Sequence, residues 1–379
     1  MGLPMTNRQY DYLIVGSGLF GSVFAQQAVE NGRSVLVLEK RTHIGGNCYS
    51  AEHEDTGIIV HRYGTHIFHT PNKAIWDYVN RFSAFTRYRH RVLTKHRGRV
   101  YSMPINLGTI NAFYGLDLKP GEVDAFLAAR RPRIERPANL EEKAISLVGE
   151  ELYRAFIAGY TEKQWARSPR ELPASIINRL PVRTSYDDSY FDDTWQGLPA
   201  EGYTPIFERL LAGADIELGC DFLADRDYWR SRARRVIYTG PVDAWFGYCN
   251  GRLGWRSVRL ESEVLPVGDF QGTSVMNYAD TDVSWTRIHE PKHLHPERSV
   301  RENTTVIVRE YSQVDDDAPY YPIGTAADQE LFGRYQEMAA REAGVRMGGR
   351  LAQYRYFDMH HVVAQALKAA REELSAGAA

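Results

Sequence analysis

The sequence predicts an α/β protein made of more than one structural unit, and three observations support this prediction. The chain has 379 residues, against about 100–200 for a typical domain. Its composition, with 43% hydrophobic and 25% charged residues, is that of a globular protein and not of a disordered or collagen-like chain. Residues 10–40 have the pattern of strand, glycine turn, helix and strand, whereas short β-rich stretches dominate after Pro173.

The charge balance argues against nucleic acid and anionic membranes as partners, and the cysteine content indicates the compartment. The 46 basic and 48 acidic side chains leave a net charge of -2, which provides no bulk attraction to nucleic acid or to an anionic membrane. An anionic ligand must therefore be met by cations that are arranged locally. Cys48, Cys220 and Cys249 are widely spaced and odd in number, which favours a reducing, cytoplasmic compartment. No run approaches the roughly 18 apolar residues of a membrane span.

Residues 10–40 predict a dinucleotide-binding unit. Gly16, Gly18 and Gly21 form a G-x-G-x-x-G pattern between the first strand and the helix. The first glycine allows a tight turn, the second lets the backbone approach a pyrophosphate, and the third packs helix against strand. Backbone N–H groups at the helix start bind the phosphates. Glu39 ends the second strand, where a carboxylate can accept hydrogen bonds from ribose hydroxyls and repel a 2′-phosphate.

FAD and NAD both use such a unit, and the residues that follow it favour the flavin. Arg41 and the glycine-rich turn Gly45-Gly46-Asn47 resemble the segment that many flavoproteins place along the flavin side of their cofactor. A Rossmann-like fold that binds no nucleotide is the alternative. Residues 63–70 then form an aromatic, histidine-rich loop suited to a ligand wall. Its two histidines have no third ligand at the usual spacing, so we expect no metal.

The pattern changes twice along the remaining chain. Apolar residues recur at helical spacing in residues 116–166 and predict a helical insert, with one helix starting near Asn139. An antiparallel sheet is the economical arrangement for the β-rich stretches beyond Pro173. These stretches are residues 182–191, 258–270, 274–278, 284–289 and 304–311.

Two later segments return to the first unit. Residues 235–241 look like another strand and glycine turn of that unit, and a further return occurs near Val345. A helix is predicted over residues 359–374, with Asp358 as its N-cap. The domains are therefore expected to be interleaved along the chain.

From Tyr10 to about Glu373 the chain resembles the bacterial UDP-galactopyranose mutases. The motifs that agree in order and spacing are DYLIVGSGLFG, HIGGNCYS, YGTHIFHT, ISLVGEELYRAFIAGYTEKQW, LPASIINRLPVR, DDSYFDDTWQGLPAEGYTPIFE, VIYTGPVDAWF, WTRIHE, PYYPI and GGRLAQYRYFDMHHV. The resemblance implies a Rossmann-like FAD-binding domain with an inserted helical domain and a twisted antiparallel β-sheet domain.

The resemblance also implies how the chain is divided. The FAD-binding domain would be discontinuous and comprise residues 1–82, 213–245 and 325–379. The helical domain, with a mobile substrate loop, would comprise residues 105–172. The antiparallel sheet domain would comprise residues 83–104, 173–212 and 246–324.

The activity implied is that of an isomerase that interconverts UDP-galactopyranose and UDP-galactofuranose, as in galactofuranose biosynthesis for cell walls. FAD, active when reduced, would act as a covalent nucleophile through N5, with no net redox change. The implied partners are UDP-galactose in its pyranose and furanose forms, an unidentified flavin reductant, and further copies of the chain in a homodimer or higher homo-oligomer. Nucleic acid and membrane are not expected as partners.

Two arginines match the catalytic positions of the family, Arg179 in INRLPVR and Arg287 in WTRI. Negative charge accumulates on the diphosphate as the glycosidic C–O bond breaks, and a cation beside it stabilises that charge. An Arg→Ala change there is expected to lower turnover by on the order of 10²-fold. The positions that match substrate contacts are Phe156, Thr161, Trp165, Tyr190, Asn277, Tyr321 and Tyr356.

His90 departs from the family pattern, because it lies in the stretch Arg87-Tyr88-Arg89-His90 where relatives carry asparagine. This basic stretch either adds a phosphate contact or forms a solvated edge strand. His90 is kept as a candidate substrate-binding residue.

The cofactor positions implied by the resemblance extend over the whole chain. They are Gly16, Gly18, Phe20, Gly21, Glu39, Lys40, Asn47, His66, Ile67, Phe222, Arg350, Asp358, Met359, His360, His361 and Val362. We hypothesise that the start of the final helix points at the pyrimidine edge of the flavin, where its dipole would favour the anionic reduced form.

Two other function classes share the first unit. A flavin-dependent oxidoreductase of the amine-oxidase type would transfer electrons to an acceptor during turnover. A binding protein on the same fold, such as a prenyl-GTPase escort, need not hold a flavin. Net electron transfer would indicate the first of these, and a yellow purified protein would exclude the second.

Overall fold

The computed structural model describes residues 9–179, 181–314 and 318–376, without the side chains of residues 178, 179 and 376. Its strands are β1 (Tyr10–Val15), β2 (Val35–Glu39), β3 (Ser50–Glu52), β4 (Ile59–His61), β5 (Phe68–Thr70), β6 (Val92–His96), β7 (Arg99–Met103), β8 (Trp195–Gly197), β9 (Asp215–Leu218), β10 (Ala233–Tyr238), β11 (Trp255–Leu265), β12 (Val275–Tyr278), β13 (Arg287–His289), β14 (Thr305–Gln313), β15 (Tyr321–Pro322) and β16 (Val345–Met347).

The α-helices are α1 (Leu19–Glu30), α2 (Lys73–Asn80), α3 (Leu107–Tyr114), α4 (Val123–Ala128), α5 (Leu140–Val148), α6 (Glu150–Tyr153), α7 (Gly159–Trp165), α8 (Thr204–Leu210), α9 (Arg226–Ser231), α10 (Val242–Trp245), α11 (Ala326–Ala339), α12 (Gly349–Ala352) and α13 (Met359–Ala376). Single 3-10 turns are Gly46–Cys48, Pro120–Glu122, Pro169–Glu171, Ala174–Arg179, Phe222–Asp225 and Pro291–Leu294, and Arg154–Ala158 is a π-helical turn.

A five-stranded sheet in the order β16-β10-β1-β2-β9 forms the first layer, and all its pairings are parallel. Its central strands are apolar runs because parallel strands are covered on both faces. On one face Phe24 of α1 packs with Val363 of α13, and on the other Leu36 packs with Phe222 and Trp245. The α/β class and the returns of the chain at β10 and β16 are confirmed.

A second sheet of seven strands has the order β15-β11-β14-β13-β12-β6-β7. Its pairings are antiparallel except that of β12 with β6, which is parallel. The parallel pair arises because β6 and β12 come from segments that are far apart in the chain, so no hairpin sets their direction.

The strand predicted over residues 182–191 is wrong, because that segment forms turns. Arg183 donates to the carbonyls of Asp187 and Ser189, and the backbone N–H of Ser189 donates to the Asp187 carboxylate at 3.0 Å. Such local hydrogen bonds compete with a strand ladder for the same backbone groups.

The helical insert predicted over residues 116–166 is formed by α4 to α7, and α3 directly precedes it. Asn139 caps α5 as predicted, since its side chain accepts from the N–H of Glu142 at 2.9 Å. The π-helical turn Arg154–Ala158 lies between α6 and α7, and π turns occur frequently at functional sites. Among the described residues, no helix is long and apolar enough to cross a bilayer. The domain boundaries given above stay a prediction.

Candidate active site

A cavity of about 1320 Å³ opens between the parallel sheet, the helical insert and the seven-stranded sheet. It exceeds the roughly 300–1,000 Å³ of an ordinary small-molecule site, so it has room for a cofactor and a second ligand. Gly21, His360 and His361 are not part of its wall, and the Arg179 side chain lies outside the described residues. The predicted residues that line it are Gly16, Gly18, Phe20, Glu39, Lys40, Asn47, His66, Ile67, His90, Phe156, Thr161, Trp165, Tyr190, Phe222, Asn277, Arg287, Tyr321, Arg350, Tyr356, Asp358, Met359 and Val362.

The glycine turn after β1 has the geometry that a dinucleotide requires. Gly16 has φ +100°, which disfavours other residues, and a Cβ there would lie 2.3 Å from Thr239 Oγ1. A Cβ on Gly21 would lie 2.1 Å from the Gly16 carbonyl oxygen, so this glycine allows α1 to approach the turn. A Cβ on Gly18 would meet nothing within 4 Å, which leaves open space where a phosphate would lie.

The acid at the end of β2 is held in place by its neighbours. Glu39 is buried, and one of its oxygens accepts from the N–H and the hydroxyl of Ser17 at 3.0 and 2.7 Å. The other oxygen accepts from the N–H of Arg41 at 3.0 Å. A carboxylate can accept about four hydrogen bonds, so it retains capacity for a ribose hydroxyl.

Arg41 provides a second test of the fit to a dinucleotide. Its Nη2 donates to Asn47 at 2.9 Å and its guanidinium lies 4.1 Å from the ring centre of Tyr63. Its Nη1 is buried and has no partner among the described residues. A buried donor without an acceptor is costly, and an anionic ligand would satisfy it. The residues at this end of the cavity therefore fit an anionic dinucleotide.

The histidine-rich loop presents a neutral imidazole to the cavity. His66 Nδ1 lies 2.7 Å from the carbonyl of Gly64, which makes Nδ1 the donor and leaves Nε2 with a lone pair. Burial, with a smaller contribution from Arg350, lowers the pKa of His66 to about 4. His66 is therefore uncharged at neutral pH.

His69 of the same loop belongs to a small polar cluster at the start of α13. Its Nδ1 lies 2.5 Å from the Asp193 carboxylate, and ligand atoms of His69, Asp193 and His360 lie within 4.8 Å of one another. Two ligands of one tetrahedral zinc would be roughly 3.3 Å apart. The contact of His69 with Asp193 is therefore a hydrogen bond, which orients the ring that stacks on Phe191 at 3.7 Å.

Another part of the cavity wall holds an ion pair, of which the sequence motifs indicated only Arg287. Arg287 Nε lies 3.1 Å from the carboxylate of Glu310, whose other oxygen lies 2.9 Å from His289 Nε2. His289 Nδ1 in turn lies 2.8 Å from the hydroxyl of Thr65. Burial alone would raise the pKa of Glu310, but Arg287 and His289 outweigh it and hold that pKa below its ordinary value.

The ion pair leaves Arg287 able to bind a ligand. Its side chain lies beside Glu310, and its guanidinium carbon lies 6.0 Å from the ring centre of Tyr160. Burial opposes its charge, but Glu310 beside it keeps the pKa of Arg287 above its ordinary value. The Nη groups therefore remain charged donors, as binding of a diphosphate requires.

Tyrosines surround this guanidinium. The rings of Tyr321 and Tyr356 stack with their centres 5.9 Å apart, and Tyr160 also lines the cavity. Burial raises the pKa of Tyr160 and Tyr321, which therefore stay protonated hydrogen-bond donors. The sequence did not indicate Tyr160, because the motif GYTEKQW pointed to its neighbour Thr161. It did not indicate Glu310, because REYS is an ordinary strand sequence.

The helical insert supplies the remaining wall. Phe156 is 4% exposed, and most of its ring packs edge-on against Tyr101 and Phe113. Thr161 is also buried, whereas Trp165 is partly exposed. Of the two aromatic residues predicted in this segment, Trp165 therefore presents the larger ring surface to a ligand.

The expectation of an edge strand at residues 87–90 is wrong. These residues form no strand, and His90 is 6% exposed. Its ring lies 3.1 Å from the hydroxyl of Tyr88, and burial lowers the pKa of His90 to about 3. Arg87 and Arg89 are exposed to solvent, whereas His90 is a neutral part of the cavity wall.

Comparisons with known proteins agree with this geometry. Residues 155–356 match the family model of UDP-galactopyranose mutase, and residues 14–82 match that of an NAD(P)-binding Rossmann-like domain. The chain is 43% identical to a probable UDP-galactopyranose mutase of Klebsiella pneumoniae over 96% of this chain and 94% of that protein. It is 38% identical to a dTDP-fucopyranose mutase of Escherichia coli over 95% of this chain and 97% of that protein.

A solved structure shows the same fold. The crystal structure of a reduced UDP-galactopyranose mutase superimposes with a TM-score of 0.72 at 15% identity, covering 97% of this chain and 96% of that one. The full-length sequence matches settle the family, since they reach 43% identity. The protein is therefore an isomerase, and the chain belongs to the UDP-galactopyranose mutase family.

Proposed function

We propose that this chain interconverts UDP-galactopyranose and UDP-galactofuranose in the cavity, with reduced FAD as cofactor. The observation that carries the proposal is the pairing of two anion sites in one cavity. The glycine turn after β1 and the Arg41 guanidinium form one of these sites in the cavity wall, and the ion pair of Arg287 with Glu310 forms the other. The first site suits the pyrophosphate of a dinucleotide, and the second suits the diphosphate of a nucleotide-sugar.

The chain's own residues would hold FAD at the first site. Glu39 would accept from the ribose and the N–H groups at the start of α1 would donate to the phosphates. His66 would present its Nε2 lone pair toward the isoalloxazine ring, and the start of α13 would favour negative charge there. Bound in the reduced state, FAD would supply a nucleophilic nitrogen, N5, for the anomeric carbon of the sugar.

At the second site the chain would stabilise the leaving diphosphate. Arg287 would donate to the oxygens on which charge builds as the C–O bond breaks, and the hydroxyls of Tyr321 and Tyr356 would add directed hydrogen bonds. Glu310 would keep the guanidinium oriented. Arg179, at the end of the turn Ala174–Arg179, is proposed as the second cation on the basis of its motif.

A second candidate substrate is a dTDP-linked 6-deoxy sugar, because the E. coli relative is named for dTDP-fucopyranose. Both substrates share a pyrimidine base, a diphosphate and a galacto-configured sugar, so the anion site serves either. We favour the UDP sugar because the K. pneumoniae relative is more similar to this chain.

The proposal is tested by incubating dithionite-reduced protein with UDP-galactofuranose or with dTDP-fucofuranose and separating the products by chromatography. We expect the pyranose from the UDP sugar, a yellow protein when oxidised, and no conversion by the oxidised form. Absence of conversion by reduced, flavin-loaded protein would refute the proposal. Faster conversion of the dTDP sugar would reassign the substrate, and net electron transfer to an acceptor would favour the amine-oxidase alternative.

The remaining expectations are proposals that rest on the resemblance alone. We propose a homodimer or higher homo-oligomer, a separate flavin reductant, and a cytoplasmic location. We also propose the division into three domains at the boundaries stated above. Size-exclusion chromatography with light scattering tests the oligomeric state directly.

A further inference from the structure

Lys163 lies on α7 and is not among the residues that line the cavity. Its ammonium group donates to three backbone carbonyls, those of Tyr278, Asp280 and Trp285, at 2.8, 2.6 and 3.0 Å. An ammonium has three N–H donors, so all of them are used. All three acceptors belong to the end of β12 and the turn that joins it to β13. We call residues 279–286 the hairpin turn.

The hairpin turn is also held from its other side. The Asp280 carboxylate lies 2.5 Å from His96 Nδ1 and accepts from the N–H of Arg97 at 2.6 Å. The helix approaches the turn closely, since a Cβ on Gly159 would lie 2.5 Å from the Ala279 carbonyl oxygen. The Lys163 contact therefore spans two elements whose backbones already touch.

Helix α7 and the strands that flank the hairpin turn each contribute residues to the proposed nucleotide site. Thr161 and Trp165 of α7 line the cavity, and we assign this part of the wall to the nucleoside because the partly exposed ring of Trp165 can stack on a base. Asn277 and Arg287 are paired in register on β12 and β13, directly beside the hairpin turn, and Arg287 lines the part assigned to the diphosphate. The distance between α7 and the hairpin turn thus sets the distance between nucleoside and diphosphate contacts.

We propose that Lys163 is a positioning residue that holds the nucleoside-binding helix at the spacing that lets one nucleotide diphosphate reach Arg287. The inference rests on the proposed function. We call the nucleoside contacts on α7 and the diphosphate contact at Arg287 the two half-sites. The new element is that the distance between the half-sites depends on Lys163, a side chain that does not contact the ligand. A ligand that bridges both half-sites should require Lys163, and a ligand confined to one half-site should not.

The test compares UDP, which reaches both half-sites, with uridine, which reaches one. For Lys163→Met we expect UDP affinity to fall at least about tenfold and uridine affinity to change less than about twofold, because misplacement affects bridging ligands selectively. Both are measured by titration calorimetry of the flavin-loaded protein, with kcat/KM for UDP-galactofuranose as a second readout. Lys163→Arg, which keeps charge and donors, should recover part of the loss.

Lys292→Met is the matched control, because Lys292, like Lys163, donates to a backbone carbonyl, that of Gly268, and does not line the cavity, but it lies outside α7 and the hairpin turn. It should leave UDP affinity unchanged. Equal losses for UDP and uridine in Lys163→Met would show a general structural role and overturn the inference, as would no loss for either. Failure of the wild-type protein to bind UDP or convert its sugar would refute the proposed function instead.

Discussion

Glu310 is the residue whose contacts most affect Arg287. Its carboxylate faces Arg287 on one side and His289 on the other, and it is 3% exposed. Removal of one partner from such a group leaves the other charge buried and uncompensated. Glu310 therefore compensates the buried positive charge of the Arg287 guanidinium.

Replacement of Glu310 by glutamine should be costly although it preserves shape. We expect Glu310→Gln to lower the free energy of unfolding by about 1–3 kcal/mol and kcat/KM by on the order of tenfold. Urea titration and steady-state kinetics measure the two effects. Glu263→Gln is the control, since Glu263 pairs with Arg309 at 2.6 Å in an exposed ion pair of the same sheet; such pairs contribute about 0–1 kcal/mol. Equal effects of the two changes would contradict the role given to Glu310.

At the scale of elements, two glycines of the turn between β1 and α1 have different roles, one in packing and one in ligand binding. Gly21 faces the Gly16 carbonyl oxygen, whereas Gly18 faces open space. We expect Gly21→Ala to destabilise the protein by about 1–3 kcal/mol even without cofactor, as overpacking does. Gly18→Ala should leave the stability of the cofactor-free protein nearly unchanged and weaken FAD binding.

Thermal melting of cofactor-free protein and flavin fluorescence titration distinguish the two variants. If Gly18→Ala bound FAD as tightly as the wild type, the open space beside Gly18 would not be a phosphate site. If Gly21→Ala melted at the same temperature as the wild type, α1 could move away from the turn at little cost, and the close approach would not require glycine.

The first unit was predictable at element level because its signals are local. Alternation of apolar runs with glycines identifies β1, α1 and β2, and Asn139 identifies the start of α5. The parallel pairing of β12 with β6 was not predictable, since it depends on contacts between distant segments. The turns at residues 182–191 were missed because a valine and aromatic residues outweighed the Asp187 turn.

The candidate site was predictable only in part, for the same reason. Arg287 and the tyrosines could be located from motifs, but the partner of Arg287 is Glu310, on another strand. Lys163 likewise has no signal in its own segment, because its acceptors are backbone carbonyls more than a hundred residues away. Residues that act through tertiary contacts leave no periodic pattern.

For the whole molecule, buried neutral histidines should make stability depend on pH. Burial lowers the pKa of His61, His66 and His90, to about 4 for His66 and about 3 for His90, from an ordinary 6.5. Below pH 6.5 the unfolded chain takes up protons that the folded chain does not, so stability is lost as the pH falls. We expect a decrease of about 1–2 kcal/mol per histidine between pH 7 and 5.

Urea unfolding at intervals across that range provides the measurement, and His90→Asn should reduce the slope. Glu310 acts in a lower window: its folded-state pKa lies below the ordinary 4.5, so its stabilisation is present above 4.5 and disappears as the pH falls through the folded value. A free energy of unfolding that stays constant from pH 7 to 5 would show that these histidines are hydrated.

The order of strands in the parallel sheet has a consequence for synthesis. Strand β1 lies between β2 and β10, and α1 packs beside α13, whose Glu373 also pairs with Arg235 of β10 at 2.7 Å. Translation proceeds at about 5–20 residues per second, so the first strand waits on the order of tens of seconds for these partners. The contacts of α13 with α1 and β10 can therefore form only after residues 359–376 have left the ribosome, so this layer of the fold is completed last although its first strand is made first.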